Sequence, residues 1–525
     1  MERADRHDRV CQAAVDPHCS LAPCRTNQLA VRQMMCGLGV RLVGTLILTG
    51  LTSACLVGPD YARPSVETPL TFKGASGSPA PGWRVVRPSD AVARGTWWSV
   101  FRDPVLDRLI RAIDVDNQTL RQAISRYEQA RAVVQQARAQ LFPTVMGAPS
   151  IQQSGSGNEA RTTLTLQGSA SWELDLFGRI RRQIESGAAS AQASAASLAL
   201  VRLTRQAELA TNYFQLRYED SLQRLLNDTV AAYQRSLVIA QNQYAAGVAA
   251  RSDVITAQTQ IKTTEASAIA IELRQTTFAH AIAVLSGRPP SEIRIPRGQL
   301  AARPPSIPGS LPSTLLERRP DIAQAERLVQ AQSEQIGVAV AAFYPSVSLS
   351  ASGGLSGDPT AALFAAENQF WSVTGAATDV LFDGGARSAV LQTSRAAYQA
   401  AVATYRQTVL TAFREVEDGL SGVRILARQQ MMQQAAVTSA SRAVEIALNE
   451  YRAGTQNYTT VVTAQALELG NRVAALQIQA SRFTTAIALI RALGGSWETL
   501  NLPAPEELIA ARLPVDSGQA LRLDE

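Results

Sequence analysis

The apolar residues of this chain recur with two different periods, which predict two kinds of secondary structure. The stretches near 178–245 and 386–451 contain no proline and keep a helical pattern, so each predicts a helix of roughly 100 Å at about 1.5 Å per residue. Shorter helices are predicted near 117–141 and 320–342. After the second long helix, apolar residues alternate in steps of three and four, at Val462, Ala466, Leu469, Val473, Leu476, Ala480, Phe483, Ile487 and Ile490. Such a seam is typical of a coiled coil, so we expect these helices to need neighbours.

In other stretches, apolar and polar residues alternate at every second position, which predicts β-strands. Short alternating runs rich in Ser, Thr and Gly predict strands around 144–153, 161–174, 345–354 and 371–382. Segments of about 9–11 residues cross a bilayer when tilted, and Trp172 and Trp371 would suit its interfaces. Four strands leave two open edges, which lipid does not tolerate, and the smallest closed barrels have about eight strands. We therefore expect several copies of the chain to share one barrel, three copies supplying twelve strands.

The chain contains a tandem repeat, which is recognised by four short motifs that recur in the same order. The pairs are Phe142-Pro143 and Tyr344-Pro345, Leu176-Phe177-Gly178 and Leu381-Phe382-Asp383-Gly384, Tyr244 to Gly247 and Tyr451 to Gly454, and Leu285-Ser286-Gly287 and Leu493-Gly494-Gly495. Their offsets drift only from 202 (345 − 143) to 208 (493 − 285), as a duplication with small loop insertions predicts. Seven prolines between Pro289 and Pro312 exclude a continuous helix there and predict an extended linker.

The N-terminal region resembles a bacterial export signal. Arg41 precedes an apolar run, 42–51, that is too short to span a membrane at about 20 residues per spanning helix. The run ends in Thr52-Ser53-Ala54-Cys55, which resembles a lipobox with Cys55 as the acylated residue; a plain signal-peptidase site is the alternative. Leu56, rather than Asp, follows Cys55, and by resemblance to bacterial lipoproteins this favours sorting to the outer membrane. All five cysteines lie within the first 55 residues, which excludes a disulfide framework or thiolate metal site in the body of the chain.

These observations divide the chain into seven parts. They are an N-terminal extension expected to be non-native (1–33), a lipoprotein signal peptide (34–54), a lipidated N-terminal segment (55–100), the first repeat (101–288), a Pro-rich linker (289–315), the second repeat (316–500) and a C-terminal tail (501–525).

Charge and composition exclude several functions. The net charge of +6 comes from 50 basic and 44 acidic residues scattered along the chain. Nucleic-acid binding would require a cluster of basic residues, so the sequence does not predict a nucleic-acid partner. His7, Cys11, His18, Cys19 and Cys24 do not have the spacing of a zinc site, so we expect no metal and no cofactor. His280 is predicted to be a packed core residue. No paired carboxylates, triad histidine or phosphate loop stand out, so we expect no enzyme activity.

Four motifs carry a family resemblance that covers residues 36 to 500. They are Val57-Gly58-Pro59-Asp60-Tyr61-Ala62-Arg63-Pro64, Trp97-Trp98-Ser99-Val100-Phe101-Arg102-Asp103-Pro104-Val105-Leu106, Leu315-Leu316-Glu317-Arg318-Arg319-Pro320-Asp321-Ile322-Ala323-Gln324-Ala325-Glu326 and Phe413-Arg414-Glu415-Val416-Glu417-Asp418-Gly419-Leu420. Together they resemble NodT-type outer-membrane lipoproteins of RND efflux systems, within the TolC-like outer membrane factors.

The resemblance implies a mainly α fold with transmembrane β-structure. It implies a homotrimer with a 12-stranded β-barrel, four strands per subunit, continued by a 12-helix coiled-coil α-barrel in the periplasm and an equatorial belt. The function implied is a passive export duct for drugs or other small molecules, lipid-anchored in the outer membrane. Its partners would be outer-membrane lipid, a periplasmic adaptor protein and an inner-membrane RND pump. A type I secretion or metal-efflux system is the alternative, and a trimeric coiled-coil scaffold or adhesin would lack spanning strands.

In that family, polar links at the two helix–helix turns hold the periplasmic tip closed. The gate candidates here are Tyr244, Arg251 and Asp253 in the first turn region and Tyr451, Gln456 and Tyr458 in the second. Asp253 falls on the family's first-turn aspartate, whereas Thr460 and Thr463 stand where members with an acidic ring carry aspartate. We therefore expect a hydrophobic or tyrosine-hydroxyl gate, the alternative being that these are ordinary polar turn residues.

Overall fold

The computed structural model describes residues 56–66, 96–157, 159–305, 319–357, 363–495, 497 and 502–510. Within them lie two short 3-10 helices, Trp97–Phe101 and Ala366–Asn368, eight α-helices and four β-strands. The helices are α1 Pro104–Asp116, α2 Gln118–Ala139, α3 Arg179–Ala245, α4 Arg251–Leu285, α5 Pro320–Ala341, α6 Ala386–Arg452, α7 Tyr458–Ala492 and α8 Pro505–Ala510, and the strands are β1 Thr144–Ser156, β2 Glu159–Leu174, β3 Ser346–Gly357 and β4 Gln369–Thr378. The predicted N-terminal extension, signal peptide and Cys55 lie outside the described residues.

The two long helices are present, and each ends at a glycine turn. Both α3 and α6 have 67 residues, which is about 100 Å of helix. Gly247 and Gly454 follow them with φ of 72° and 71°, a left-handed conformation that favours glycine and reverses the chain. The returning helices α4 and α7 both have 35 residues, and α2 and α5 both have 22. Equivalent positions in the two hairpins therefore differ by 207 (386 − 179 and 458 − 251).

The four strands form one antiparallel sheet in the order β1-β2-β3-β4. The central pairing joins the two repeats, with Leu174 opposite Val347 and Leu164 opposite Gly357. The strand predicted at 371–382 is shorter than expected, because β4 ends at Thr378. Beyond it, the Asp383 carboxylate accepts hydrogen bonds from the backbone N–H groups of Gly385 and Arg387, which makes a turn into α6. The hydrogen bond from the Arg387 guanidinium, followed by these two backbone bonds, lowers the pKa of Asp383 to about 2.

The helix α1 was missing from the sequence-based prediction. Asp103 caps it by accepting hydrogen bonds from Val105 N and Leu106 N. Its apolar face, together with Trp97 and Trp98, packs on the middle of α3 and forms an outer layer there. The largest hydrophobic cluster lies beneath this layer and includes Ile110, Ile113, Leu209, Tyr213, Phe214, Val409, Val416, Phe483 and Ile487.

Within the described ranges, α7 alone is long and apolar enough to cross a membrane by length and composition. Its apolar residues are nevertheless used inside the fold. Val461 packs against the hairpin tips, and Ile478, Ile487 and Leu489 are buried along the rest of the helix. Packing against neighbouring helices therefore explains the apolar character of α7.

A buried arginine joins two of the sequence motifs. Arg319 precedes α5 and donates from Nε to Asp321 Oδ1 at 3.0 Å and from Nη1 to the Ala492 carbonyl at 2.9 Å. Nη1 also lies 2.9 Å from Glu415 Oε2 on α6. Burial opposes the charge of Arg319, but Asp321 and Glu415 outweigh it and raise the pKa of the guanidinium. One side chain thus connects α5, α6 and the end of α7.

The N-terminal segment, residues 56–66, lies across both repeats. Val57 N donates to Phe177 O at 3.4 Å, at the end of the first sheet hairpin. Gly58 has φ +98°, and a Cβ there would lie 2.7 Å from Gly337 Cα on α5. Only glycine suits such a conformation with so close a backbone approach. The Val57-Gly58 pair of the first motif therefore fixes this segment between the repeats.

Two ion-pair and hydrogen-bond sets hold the same segment. The Arg182 guanidinium on α3 is buried and lies 2.6 Å from Glu334 on α5 and 2.9 Å from Asp60. The Tyr61 hydroxyl donates to Glu326, also on α5. Burial and this acidic partner raise the pKa of Tyr61 far above its ordinary value. The segment therefore contacts repeat one through the exposed Asp60 and repeat two through the hydroxyl of Tyr61.

We expect Arg319→Met to destabilise the subunit strongly, since it leaves Glu415 and the Ala492 carbonyl without their buried donor. The free energy of unfolding should fall by roughly 3 kcal/mol. The midpoint of guanidinium unfolding, followed by far-UV circular dichroism in detergent micelles, measures this. The control is Arg202→Met on α3, whose pair with Asp114 is 2.8 Å long but solvent-exposed, and which should cost below about 1 kcal/mol. Equal midpoints for the two variants would contradict the assigned role of Arg319.

Candidate channel wall and periplasmic gate

In its central part, the register of the sheet places only apolar side chains and glycines on one face and most of the polar side chains on the other. Residues directly opposite each other in an antiparallel pair point to the same face. One face carries Val145, Gly147, Pro149, Ile151, Leu164, Leu166, Gly168, Ala170, Trp172, Val347, Leu349, Ala351, Gly353, Leu355, Trp371, Val373, Gly375 and Ala377. Trp371 is 82% exposed and Val373 71% exposed in the subunit, so this apolar face has no cover from its own chain.

The other face is polar and almost uncharged. It carries Thr144, Met146, Ala148, Ser150, Gln152, Thr163, Thr165, Gln167, Ser169, Ser171, Ser346, Ser348, Ser350, Ser352, Gly354, Ser356, Phe370, Ser372, Thr374, Ala376 and Thr378. Its hydroxyls bond across strands, Thr165 to Ser356 at 3.1 Å and Ser352 to Ser372 at 2.8 Å. Among the side chains that the structure describes on this face, the charged ones, Arg161 and Glu173, lie toward the strand ends.

Such a two-faced sheet suits a wall between lipid and water. The side chains of the apolar face carry no hydrogen-bonding groups except the indole N–H groups of Trp172 and Trp371. The hydroxyl face can exchange hydrogen bonds with water and with passing solutes. The sheet continues directly into α3 and α6, each about 100 Å long. The geometry therefore extends the polar passage away from the sheet along a helical wall.

At the far end of the helices, the two hairpin tips contact each other through two tyrosines. The Tyr451 hydroxyl at the end of α6 donates to Asp253 Oδ2 at 3.3 Å, and Asp253 lies in the first turn of α4. The Tyr451 and Tyr458 rings lie 5.1 Å apart. Both tyrosines are buried among Ala240, Ala257, Ala447 and Val461. Burial, then the Asp253 carboxylate, raises the pKa of Tyr451 to about 12.

Tyr458 is protonated for similar reasons. Burial raises its pKa to about 12, with further contributions from Tyr451 and Asp253. At neutral pH both hydroxyls therefore keep their protons, and Tyr451 remains a donor to Asp253. The structure thus brings three of the six gate candidates together.

The other three gate candidates do not join this contact. Tyr244 is 48% exposed at the end of α3, and Arg251 and Gln456 are exposed in the turns. Gln456 makes only a local bond, accepting from the Thr460 hydroxyl at 3.3 Å. In the subunit these side chains face outward from the tips.

A polar seam between the hairpins was not predicted from the sequence. Gln465 Nε2 on α7 donates to the Ser236 hydroxyl on α3 at 2.8 Å, and both residues are buried. The Tyr233 hydroxyl donates to the Gln465 carbonyl at 3.4 Å, and Gln243 Nε2 donates to the Arg452 carbonyl at 2.9 Å. A cavity of about 350 Å³ between α3, α6 and α7 is bordered by Tyr233, Ser236, Arg452 and Gln465. Isolated glutamines and serines on long helices give no sequence signal for such a seam.

Two chemical expectations can be placed on the structure. In the described part of the chain, no group of three His, Cys, Asp or Glu side chains could hold a metal ion. The prediction that His280 is a packed core residue is wrong for the single subunit, because its side chain is exposed on α4. The helix face that carries His280 is left uncovered by the subunit, which sequence periodicity alone could not reveal.

The sheet, the paired long hairpins and the closed tips define a membrane-channel type of fold. The sequence model described as outer membrane efflux protein matches residues 109–288 and 311–495, and the chain belongs to this family.

Relatives of known role agree with this membership over most of the chain. The toluene efflux pump outer membrane protein TtgC of Pseudomonas putida is 30% identical over 468 residues, 87% of this chain and 96% of the relative. Nodulation protein T of Rhizobium leguminosarum bv. viciae is 30% identical over 430 residues, 80% of this chain and 86% of the relative. The structure of the outer-membrane channel OprN is 29% identical, with a TM-score of 0.78, covering 84% of this chain and 99% of OprN. The NodT-type resemblance and the TolC-like fold are therefore confirmed.

Proposed function

We propose that this chain is one subunit of the outer-membrane channel of a tripartite RND-type efflux pump, a passive exit duct for drugs or other small molecules. The observation that carries the proposal is the division of the sheet into an apolar and a hydroxyl face, continuous with helices of 67 residues. Strands bridge the bilayer in this proposal, and the helices bridge the periplasm. Reaction chemistry has no place in it, since a duct needs a lining and a gate only.

Adjacent residues on β4 test which face meets lipid. We expect Val373→Lys to prevent stable insertion, because a lysine on the lipid face costs roughly 2–4 kcal/mol near the bilayer midplane. Ser372→Lys, one residue away on the hydroxyl face, should insert normally. Protease-resistant protein in purified outer membranes measures both. Normal insertion of Val373→Lys together with failure of Ser372→Lys would reverse the assignment of the faces.

We further propose that three subunits close the barrel. The outer edges of β1 and β4 have no strand partner within the described subunit, and lipid requires one. Within the subunit, β2 pairs with β3, α3 packs on α5, and α3 packs on α7. Because the repeats are equivalent, the same contacts recur between subunits if β4 pairs with β1, α6 packs on α2, and α6 packs on α4 of the next copy.

The exposed side of α4 supports this arrangement. Ile269 is 66% exposed and Leu273 is 74% exposed. Their equivalents on α7, at +207, are Leu476, which packs against the core, and Ala480, which is 2% exposed. The same helix face is thus covered by α3 in one hairpin and uncovered in the other, as a missing neighbour predicts.

A cysteine pair tests the subunit contact at a chosen position. Phe214 on α3 stacks on Phe483 on α7 with ring centroids 4.7 Å apart. Their equivalents are Ser421 (214 + 207) and Thr276 (483 − 207). We expect Ser421→Cys with Thr276→Cys to cross-link into dimers and trimers under mild oxidation, on a denaturing gel without reductant. Each single variant is the control, and cross-linking only within one chain would refute the arrangement.

The tip contact is proposed to be the gate. Tyr451 to Asp253 joins hairpin two to hairpin one at the point where the tunnel must open, and the exposed Tyr244, Arg251 and Gln456 would face neighbouring subunits or the lumen. Engagement by a periplasmic adaptor and an inner-membrane RND pump would separate the tips. The buried Gln465 to Ser236 bond extends the same seam away from the tip.

We expect Asp253→Ala with Tyr451→Phe to make the closed channel leaky, since it removes the polar link but keeps the ring packing. Conductance in planar bilayers should rise several-fold, and cells should admit large antibiotics. Asp228→Ala, on α3 but away from the tip contact, is the matched control. Unchanged conductance of the double variant would favour ordinary polar turns with no gating role.

Lipid anchoring at Cys55 is also proposed. Leu56, the first described residue, lies against the turn between β2 and α3: a Cβ on Gly178 would lie 2.5 Å from Leu56 Cδ1. This turn is the boundary between sheet and helices, where the inner leaflet of the outer membrane would lie. An acyl chain on the preceding residue would reach the lipid there without crossing the protein.

We expect Cys55→Ala to abolish incorporation of labelled palmitate in growing cells, while Cys36→Ala leaves it unchanged. Immunoprecipitated protein and autoradiography give the measurement. Label that persists in Cys55→Ala would show that the anchor is elsewhere or that the signal is cleaved as an ordinary export signal.

A further inference from the structure

A second cavity lies in the outer layer, away from both the lumen-type face of the sheet and the hairpin tips. It has a volume of about 470 Å³ and lies where the linker after α4 passes over α3 and α7. Cavities of about 300–1,000 Å³ are of ligand size. The efflux duct proposed above does not use this cavity.

Three phenylalanines form its apolar wall. Phe214 stacks on Phe483 at 4.7 Å between ring centroids, and Phe101 lies 4.9 Å from Phe214 and 6.3 Å from Phe483. Phe214 and Phe483 are buried and come from α3 and α7, so the wall is rigid. Flat apolar groups pack well on such faces.

The charged residues around the cavity are mainly arginines. Arg102, Arg217 and Arg303 contribute to its lining, and Asp103 is the one acid that does. Asp103 is already occupied, because one oxygen caps α1 and the other accepts from the Tyr213 hydroxyl. Arg217 is likewise neutralised by Asp220 at 3.0 Å.

Two arginines are left without an acidic partner among the described residues, Arg102 and Arg303. Arg303 also faces another cation: burial, then the Arg303 guanidinium, lowers the pKa of Arg482, the neighbour of Phe483 in sequence. Like charges close together repel, and an anion beside them would reduce that repulsion. Arg102 and Arg303 are both exposed to solvent, so their guanidinium groups are accessible to an anion that enters the cavity.

Arg102 has an unusual backbone conformation. Its φ is +51°, and no other non-glycine residue in the described ranges has a positive φ. L-residues with a Cβ rarely adopt this conformation, and residues held in it concentrate at binding sites. Here it turns the chain between the first 3-10 helix and α1 and places Arg102 at the cavity.

From these observations we propose that the cavity binds an organic carboxylate with a flat apolar body, the carboxylate between Arg102 and Arg303 and the body against the three phenylalanines. The ligand is either a free aromatic acid or the C-terminal carboxylate of a protein segment that ends in an aromatic residue. Both present the same chemistry to the site. Binding here is independent of whether the channel conducts.

Calorimetric titration of the detergent-solubilised full chain with 2-naphthoate tests the proposal, with 2-naphthylmethanol as the neutral probe of the same shape. We expect the carboxylate to bind at least about tenfold more tightly, as a hydrogen bond between charged groups contributes. Arg303→Gln should weaken 2-naphthoate about tenfold and leave the alcohol unchanged, and Arg303→Lys should retain most of the affinity. Ala301→Trp, which fills the cavity, should abolish binding of both probes. Uptake by the micelle is common to every variant and cancels.

A second titration distinguishes the two sources of the carboxylate. It uses acetyl-Gly-Gly-Phe with a free carboxylate, and the amide of the same peptide is the control that should bind more weakly. If the free peptide acid binds more tightly than 2-naphthoate, the ligand is a protein C-terminus; if 2-naphthoate binds more tightly, the ligand is a small aromatic acid.

Equal affinity for 2-naphthoate and 2-naphthylmethanol, or an unchanged dissociation constant in Arg303→Gln, overturns the proposal. Single-channel conductance of Arg303→Gln should equal that of the wild type, so failure here is distinguishable from failure of the proposed duct.

Discussion

The outer edges of β1 and β4 impose the constraint on which the other features depend. In lipid, a backbone N–H or C=O without a partner costs several kcal/mol, so two free edges cannot both remain free. The sheet has only four strands, and its middle pairing already joins the two repeats. In the proposed trimer, further copies complete the sheet as a ring, and the ring gives the uncovered face of α4 its neighbour.

Each repeat contributes one strand edge that needs a partner, but the two repeats differ in their side chains. Repeat one contributes Asp253 to the tip, and repeat two contributes Tyr451 and Tyr458. Phe214 of repeat one, which forms part of the aromatic wall in the outer layer, is replaced by Ser421 at the equivalent position of repeat two. The equivalent backbones of the two repeats therefore form the channel wall, and the side chains that differ between the repeats form the tip contact and the cavity in the outer layer.

The sequence predicted what repeats locally. Prolines, glycine turns and helical periodicity located the two long helices, and alternation located the four strands, since these signals are carried by residues close in the chain. The end of β4 was misplaced because Asp383 forms its turn by bonds to backbone groups two and four residues later. The helix α1 was missed although Asp103-Pro104 is a start signal, because only 13 residues follow before the next helix.

Contacts across long separations could not be predicted in the same way. Arg319 and Glu415 stood out as parts of two motifs, but nothing in either motif indicated that they form one ion pair. Gln465 and Ser236 gave no signal at all, because a polar residue on a long helix is usually solvated. Of the gate candidates, the sequence placed all six at the tips, and only packing distinguished Asp253, Tyr451 and Tyr458 from the rest.

The equal lengths of the paired helices have a consequence for how such a tunnel can change over evolution. With 67 residues in α3 and in α6, and 35 in α4 and in α7, both tips end at the same level. Seven residues inserted in each helix of one hairpin alone would shift its tip by about 10 Å and leave Tyr451 and Asp253 far apart. The lengths of the two hairpins are therefore coupled in evolution. A lineage that faces a deeper periplasm must lengthen both hairpins together, by whole heptads, or lose the contact between Tyr451 and Asp253 that joins their tips.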